Sequence, residues 1–208
     1  MKKRIGILGG TFDPVHNAHL YIAEQAAKKL RLREVLMMVS KTPAYKTGSR
    51  VITPEEHRAT MVRLACEGSK KLVFSDFELR REGNTYTADT LRILKENAPD
   101  TEIFFMLGYD SLSWVDRWYH AEEVLKNCVL VPFIRGWDTE EKMREKIREL
   151  EENFGARIRP VYQIPPDVSS TKIRTLVREG KSIRGLVPEK VEQYILDNRL
   201  YLDDGEDA

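Results

Sequence analysis

The sequence predicts a doubly wound α/β protein: a parallel sheet with helices on both faces, followed by a C-terminal helical segment. Three observations carry that expectation. Short apolar runs alternate with amphipathic stretches along most of the 208 residues, the order that builds parallel strands joined by crossover helices. Two of those runs, "RIGILGG" and "EIFFMLG", stop at glycines. In such sheets ligands bind outside the carboxyl ends of the strands, where the strand order reverses, so both glycine-marked loops should open on one edge. The last regular stretches, "SSTKIRTLVREG" and "PEKVEQYILDNRL", read as helices.

Taken in order, "RIGILGG" is a buried strand, and "AHLYIAEQAAKKLRL" puts Leu20, Ala23, Ala27 and Leu30 on one helical face. "EVLMMVS" is the second apolar strand. "TPEEHRATMVRLACEG" has helix boundary signals, with Thr53 as N-cap, Pro54 at the first position, acidic residues in the first turn and Gly68 past the end. "KLVFSDFEL" reads as extended, and "TYTADTLRILKENAP" as a helix stopped by Pro99. "EIFFMLG" and "CVLVPFI" are strongly buried strands, and "ARIRPVYQI" is a further one. Between the last two, "DTEEKMREKIRELEENFG" is a charged helix with an apolar stripe at Met143, Ile147 and Leu150. The whole reads as a Rossmann-like single domain over residues 1–202, with an acidic, disordered tail "DDGEDA" over 203–208.

The bulk numbers narrow the function. A net charge of +1 provides no broad field to recruit nucleic acid or an anionic membrane, so any anion site must be local. No apolar run is long enough to span a bilayer, and "MKKRIGILGG" lacks the apolar region and cleavage site of a signal peptide. Cys66 and Cys128 stand far apart in apolar surroundings and read as buried free thiols of a reducing compartment. The expected location is cytoplasmic. Oligomeric state is open, a homo-oligomer included.

Function turns on "GILGGTFDPVHNAHL". Its glycines, Gly6, Gly9 and Gly10, do not have the spacing of a dinucleotide fingerprint, and the Gly-Lys-Ser/Thr ending of a P-loop is absent. A helical zinc pair is usually spaced by four with a glutamate between; His16 and His19 are three apart and enclose Asn17 and Ala18. No protein metal site is expected. The Asp13-Pro14 turn instead places both histidines in the first turn of a helix, where unpaired N–H groups and the dipole favour an anion. Far away in sequence, "PPDVSSTKIR" puts hydroxyls at another helix start, with Ser169 or Ser170 as N-cap and Arg174 one turn on.

Gly9 to His19 resembles the nucleotidyltransferase superfamily signature G-G-[TS]-F-D-P-x-H-x-G-H, departing only where Ala18 replaces glycine. That methyl group is expected where backbone and nucleotide approach closely. Val168 to Arg174 matches the superfamily's late motif, [I/V]-S-S-T-x-[I/V]-R, at every position. Further stretches are similar to the bacterial nicotinate-mononucleotide adenylyltransferase family. "KTPAYK" resembles its P-P-H-K loop and aligns Lys46 with a phosphate-binding lysine, although Ala44 and Tyr45 depart. "EHRATMVRLA" resembles its HR helix through His57 and Arg58. "GNTYTADTL" resembles its S-Y-T-x-D-T through Tyr86, Thr87 and Asp89. "LGYDSLSWVDRWY" resembles its G-x-D-x-x-x-x-L-x-x-W through Gly108, Asp110 and Trp118. The likeness is weakest over residues 136–160, where the usual R-P-G becomes Arg135-Gly136-Trp137 and the charged helix follows.

The resemblance implies an enzyme that joins ATP and nicotinate mononucleotide into deamido-NAD and pyrophosphate, with Mg2+ accompanying ATP. It implies His16, His19 and Arg174 as catalytic residues. Gly9, Gly10, Thr11, Phe12, Gly108, Asp110, Ser170 and Thr171 would line ATP. Lys46, Tyr86, Thr87, Trp118 and Tyr119 would hold the acceptor. A flat pyridine ring suits a flat apolar wall, which Trp118 can supply. Three alternatives stay open: nicotinamide mononucleotide or pantetheine phosphate as acceptor, or a nucleotide-binding regulatory module without turnover.

Overall fold

The structure, a computed structural model, describes residues 2–41, 52–134 and 140–202. Lys46 with its neighbours Ala44 and Tyr45, the Arg135-Gly136-Trp137 stretch and the 203–208 tail lie outside those residues. Six parallel strands form one sheet: β1 (Lys3–Gly10), β2 (Glu34–Val39), β3 (Leu72–Ser75), β4 (Thr101–Gly108), β5 (Val129–Phe133) and β6 (Arg157–Ile158). Their order is β3-β2-β1-β4-β5-β6. The direction of winding reverses between β1 and β4, which pair in the register Leu8 to Met106. Gly10 and Gly108, each two residues further on, therefore leave the sheet side by side at the edge where this architecture binds ligands.

The helices are α1 (Asn17–Lys29), α2 (Glu55–Cys66), α3 (Thr87–Asn97), α4 (Tyr109–Leu112), α5 (Ala121–Asn127), α6 (Glu140–Phe154), α7 (Ser170–Arg178) and α8 (Glu189–Asp197), with a 3-10 turn at Val115–Arg117. Strand residues alternate between two cores, as a sheet buried on both faces requires. Phe104 and Met106 join Ile22, Ala26, Met61, Ile173 and Val191 on one face. Ile103 and Phe105 join Leu91, Val124, Met143 and Leu150 on the other. Cys66 and Cys128 are free and buried, one in each core. Among the described residues no helix is long and apolar enough to cross a membrane.

Three local expectations change. Pro54, not Thr53, is the N-cap of α2; the Thr53 carbonyl instead accepts a hydrogen bond from Arg58 Nε at 2.9 Å. The "ARIRPVYQI" strand shrinks to Arg157–Ile158 and an isolated bridge from Val161 to Phe133. Pairing with β5 nonetheless continues past Pro160, because the donors on that side are Arg159 N to the Leu130 carbonyl and Val161 N to the Pro132 carbonyl, each at 2.9 Å. Finally, the β4-to-β5 crossover contains two short helices and a 3-10 turn that the sequence pattern does not reveal. Segments of three to seven residues are too brief for a 3.6-residue period to register.

Candidate active site

The loop after β1 is built around its two histidines. His16 is the N-cap of α1 in an extended conformation, and His19 is the third helical residue. Their rings stack with centroids 3.6 Å apart and planes 20° from parallel. The His16 backbone N–H donates to His19 Nδ1 at 3.2 Å. With Nδ1 accepting, a neutral His19 carries its proton on Nε2, at the outer edge of the ring. Phe12 meets His19 edge-on at 5.0 Å and is itself buried. Its ring also explains Gly10, where an added Cβ would lie 3.1 Å from two Phe12 ring carbons. An added Cβ on Gly9 would meet nothing, so the strand end presents bare backbone there. Phe12 is thus a buried support, and its contribution at the surface is backbone.

Electrostatics favour an anion at this edge. Among the described α-helices only α1 and α7 lack an acidic residue in the first turn. These are the two helices that begin with the sequence motifs, and their positive dipole ends are not offset by a side chain of their own. The histidines start one of them. Ser169 caps the other by accepting from Lys172 N at 3.2 Å.

The second motif is fastened onto the first. Ser170 Oγ donates to the Pro14 carbonyl at 2.9 Å, and Arg174 Nη1 to the Asp13 carbonyl at 2.6 Å. Arg174 Nη2 donates to Thr171 Oγ1 at 3.1 Å. Asn17 reaches the turn before α8, its side chain bonding the Gly185 carbonyl at 2.8 Å and its backbone the Leu186 carbonyl at 2.9 Å. Tyr201 donates to Asp13 Oδ1 at 2.8 Å. Burial, followed by the negative Asp13 beside it, pushes the Tyr201 phenol up, which keeps it a donor.

A buried arginine completes the frame. Arg58 is 1% exposed. Its Nη1 donates to the carbonyls of Thr11 (2.8 Å) and Ser40 (2.9 Å), and its Nε to Thr53, so it joins the ends of β1 and β2 to the start of α2. Burial pulls its pKa down while Asp13, Glu55 and Tyr201 oppose the shift; an arginine stays protonated throughout. Sequence reasoning placed Arg58 in a motif but gave it no role. Its signal was available: Met61, Val62 and Ala65, three, four and seven residues on, are all buried, so Arg58 stands on the inner face of α2. Tyr201 gave no such signal.

The other half of the edge is aromatic. Tyr86 is the N-cap of α3, and its ring lies 4.4 Å from that of Tyr119. Tyr119 is 51% exposed, so this pair faces solvent and is not core packing. Trp118 is half-buried, edge-on to Phe105. Behind Thr87, the buried Thr90 donates to Glu78 Oε1 at 2.9 Å and accepts from Arg81 at 2.8 Å. Burial pushes the Glu78 carboxyl up. Asp89 pairs with Arg92 at 3.6 Å and faces Arg81 at 4.0 Å. Gly108 is the N-cap of α4, and Asp110, in its first turn, is exposed. The fold therefore brings the predicted residues 9–19 and 169–174 into one hydrogen-bonded unit and sets the rings of Tyr86 and Tyr119 against each other. Among the described residues no three histidine, cysteine or acidic side chains group to hold a metal.

The cytidylyltransferase-like family matches residues 7–176. A nicotinate-nucleotide adenylyltransferase of Lachnoclostridium phytofermentans is 42% identical over 200 residues, 96% of this chain and 100% of its own. The chain belongs to the nicotinate-nucleotide adenylyltransferase family. Members from Clostridium botulinum (strain Kyoto) and Synechococcus sp. (strain JA-3-3Ab) are 38% and 39% identical, over 94% and 97% of this chain and 97% and 96% of theirs. Among solved structures, Plasmodium falciparum nicotinic acid mononucleotide adenylyltransferase superposes with a TM-score of 0.76 in its NaAD complex and 0.74 in its APC complex. Each comparison covers 96% of this chain and 97% of that one, at 21% and 22% identity, which establishes the shared fold. Ala18, where the family signature has glycine, is 4% exposed and packs in the core with Val15 and Ile22.

Proposed function

We propose that this chain transfers the adenylyl group of ATP to nicotinate mononucleotide, releasing pyrophosphate and forming deamido-NAD in NAD biosynthesis. The observation that carries the reading is the stacked His16–His19 pair at the start of α1, beside the bare Gly9 backbone and clamped by the Ser170 and Arg174 motif. Such an array offers donors and positive charge. The acceptor phosphate is already an anion near neutral pH, so its attack on the α-phosphorus needs no general base, and catalysis is positioning plus charge stabilisation. Aligning the two reactants contributes roughly 7–11 kcal/mol of barrier reduction.

In this reading His19 directs Nε2–H at charge developing on the α-phosphate, and His16, 2% exposed and stacked on it, supports that ring rather than facing the phosphate itself. Gly9, Gly10 and Thr11 approach the reacting group through backbone, as does Phe12. Ser170, Thr171 and Arg174 hold the departing phosphates, and Gly108 and Asp110 line the adenosine side. Mg2+ would accompany ATP, held by the substrate rather than by a protein cage, and would supply charge neutralisation at its phosphates. On the acceptor, Trp118 stacks on the pyridine ring, while Tyr86, Thr87 and Tyr119 frame the nicotinate carboxylate and Lys46 holds phosphate. The two buried free thiols suit a reducing compartment, which supports a cytoplasmic setting for the reaction.

Pyrophosphate release from ATP, measured across nicotinate mononucleotide, nicotinamide mononucleotide and pantetheine phosphate, tests the reading. Turnover is expected with a clear preference for the nicotinate compound. Equal efficiency with both pyridine nucleotides makes the enzyme dual-specific, and silence with all three acceptors overturns catalysis.

A further inference from the structure

The charged helix α6 has no part in the reaction described above, yet it lies directly behind the acceptor wall. Met143, Ile147 and Leu150 bury its apolar stripe in the same core as Leu112 and Val115. Beside that stripe, Lys146 Nζ lies 3.1 Å from Asp116 Oδ2 and 3.0 Å from Glu149 Oε1. The Lys146 and Asp116 side chains are only 13% and 20% exposed. Ion pairs in full solvent contribute little, but one sheltered from water is screened far less by salt.

Asp116 is the middle residue of the 3-10 turn Val115–Arg117. Trp118 closes that turn by donating its backbone N–H to the Val115 carbonyl at 3.2 Å. Val115 is fully buried. The turn is thus held by the core through Val115 and by α6 through Asp116, and the next two residues are Trp118 and Tyr119. An anchor at Asp116 fixes the backbone from which both rings project.

We propose that Lys146 is a positioning residue for acceptor binding: its ion pair with Asp116 fixes the 3-10 turn and so sets how Trp118 and Tyr119 meet the pyridine ring. The inference rests on the acceptor reading given under Proposed function. It gives α6 a role beyond covering the sheet, since the apolar stripe alone would leave the turn anchored on one side.

Steady-state kinetics of the full chain, with each substrate varied separately, tests this. Lys146→Met and Asp116→Asn should each raise KM for nicotinate mononucleotide roughly fivefold or more, with kcat and KM for ATP little changed, the pattern of lost uniform binding. Lys146→Arg keeps the charge and should retain the wild-type acceptor KM. So should Glu149→Gln, which removes the more exposed partner. An unchanged acceptor KM in both Lys146→Met and Asp116→Asn overturns the proposal. So does an equal loss for both substrates accompanied by a lowered Tm, which would mark general destabilisation, or an equal effect of Glu149→Gln. Asp116→Asn carries the test alone if Lys146→Met does not fold. A wild-type chain that releases no pyrophosphate with nicotinate mononucleotide, yet does so with another acceptor, overturns the acceptor reading and this proposal together.

Discussion

On the proposed function the ligand edge has a phosphate half and an acceptor half, and the two are held in opposite ways. The phosphate half is fastened through its backbone: the carbonyls of Thr11, Asp13 and Pro14 each accept a side chain from another element, namely Arg58, Arg174 and Ser170. The acceptor half is fastened from behind. Its rings stand partly in solvent, while Thr90, Glu78, Arg81 and the Lys146–Asp116 pair lie beneath the backbone that carries them. The difference matches what each half would bind. A reacting phosphate needs donors fixed to within a fraction of an ångström, because stabilising charge that develops only in the transition state depends on aim. A planar ring needs a face, and stacking tolerates small displacements.

The largest expected effect lies in the phosphate half. His19→Ala should lower kcat by two or more orders of magnitude with the fold intact, since one well-aimed donor contributes roughly 2.7–4 kcal/mol. Turnover within about threefold of wild type would remove this histidine from the chemistry. Arg58→Met comes next. It removes three hydrogen bonds from a charged donor, to the carbonyls of Thr11, Ser40 and Thr53, each worth about 1.5–3 kcal/mol, so urea unfolding should show a loss of several kcal/mol and kcat should fall with it. Unaltered stability would mean that the β1 loop does not depend on its backbone clamp. For the acceptor half, Trp118→Ala should raise KM for nicotinate mononucleotide about tenfold, with KM for ATP unchanged, as expected for losing a stacking partner worth about 1 kcal/mol beyond its buried area. A fall in kcat without a change in KM would make the acceptor half resemble its neighbour after all.

The smallest effect concerns the thiols, one on each side of the sheet. Burial pushes Cys66 up to about 11 and Cys128 up to about 12. Both folded values lie above the ordinary thiol value, so whatever stability these groups contribute is complete below that value and is lost as pH rises through the folded ones. At pH 8 neither thiol should react with iodoacetamide in the folded chain. In mild urea, the order in which the two become alkylated reports which core opens first, and simultaneous labelling would show that both faces unfold together.

The strands that build the ligand edge were readable because they are long and apolar, and the helices beginning at Asn17, Thr87 and Ser170 were readable from their motifs and periodicity. The neighbourhood of the two terminal motifs was readable only through a family likeness, because hydrogen bonds between residues 13 and 174 leave no periodic trace. Ala18 shows that a motif position can also be a packing position: its methyl group packs in the core. Arg58 is a charged residue that looks surface-bound by type and is inner-facing by register. Tyr201, at positive φ after α8, has no helical register to announce it.

The bonds that close the β1 loop also set a schedule. Pro14 waits for Ser170, Asp13 for Arg174 and Tyr201, and Asn17 for Gly185. All six strands precede those partners in the chain, and chains emerge from the ribosome N-terminus first. All the described strands are therefore made while the loop that would hold ATP still lacks these partners. On the proposed function, the centre is complete only when α7, the turn before α8 and Tyr201 meet the β1 loop.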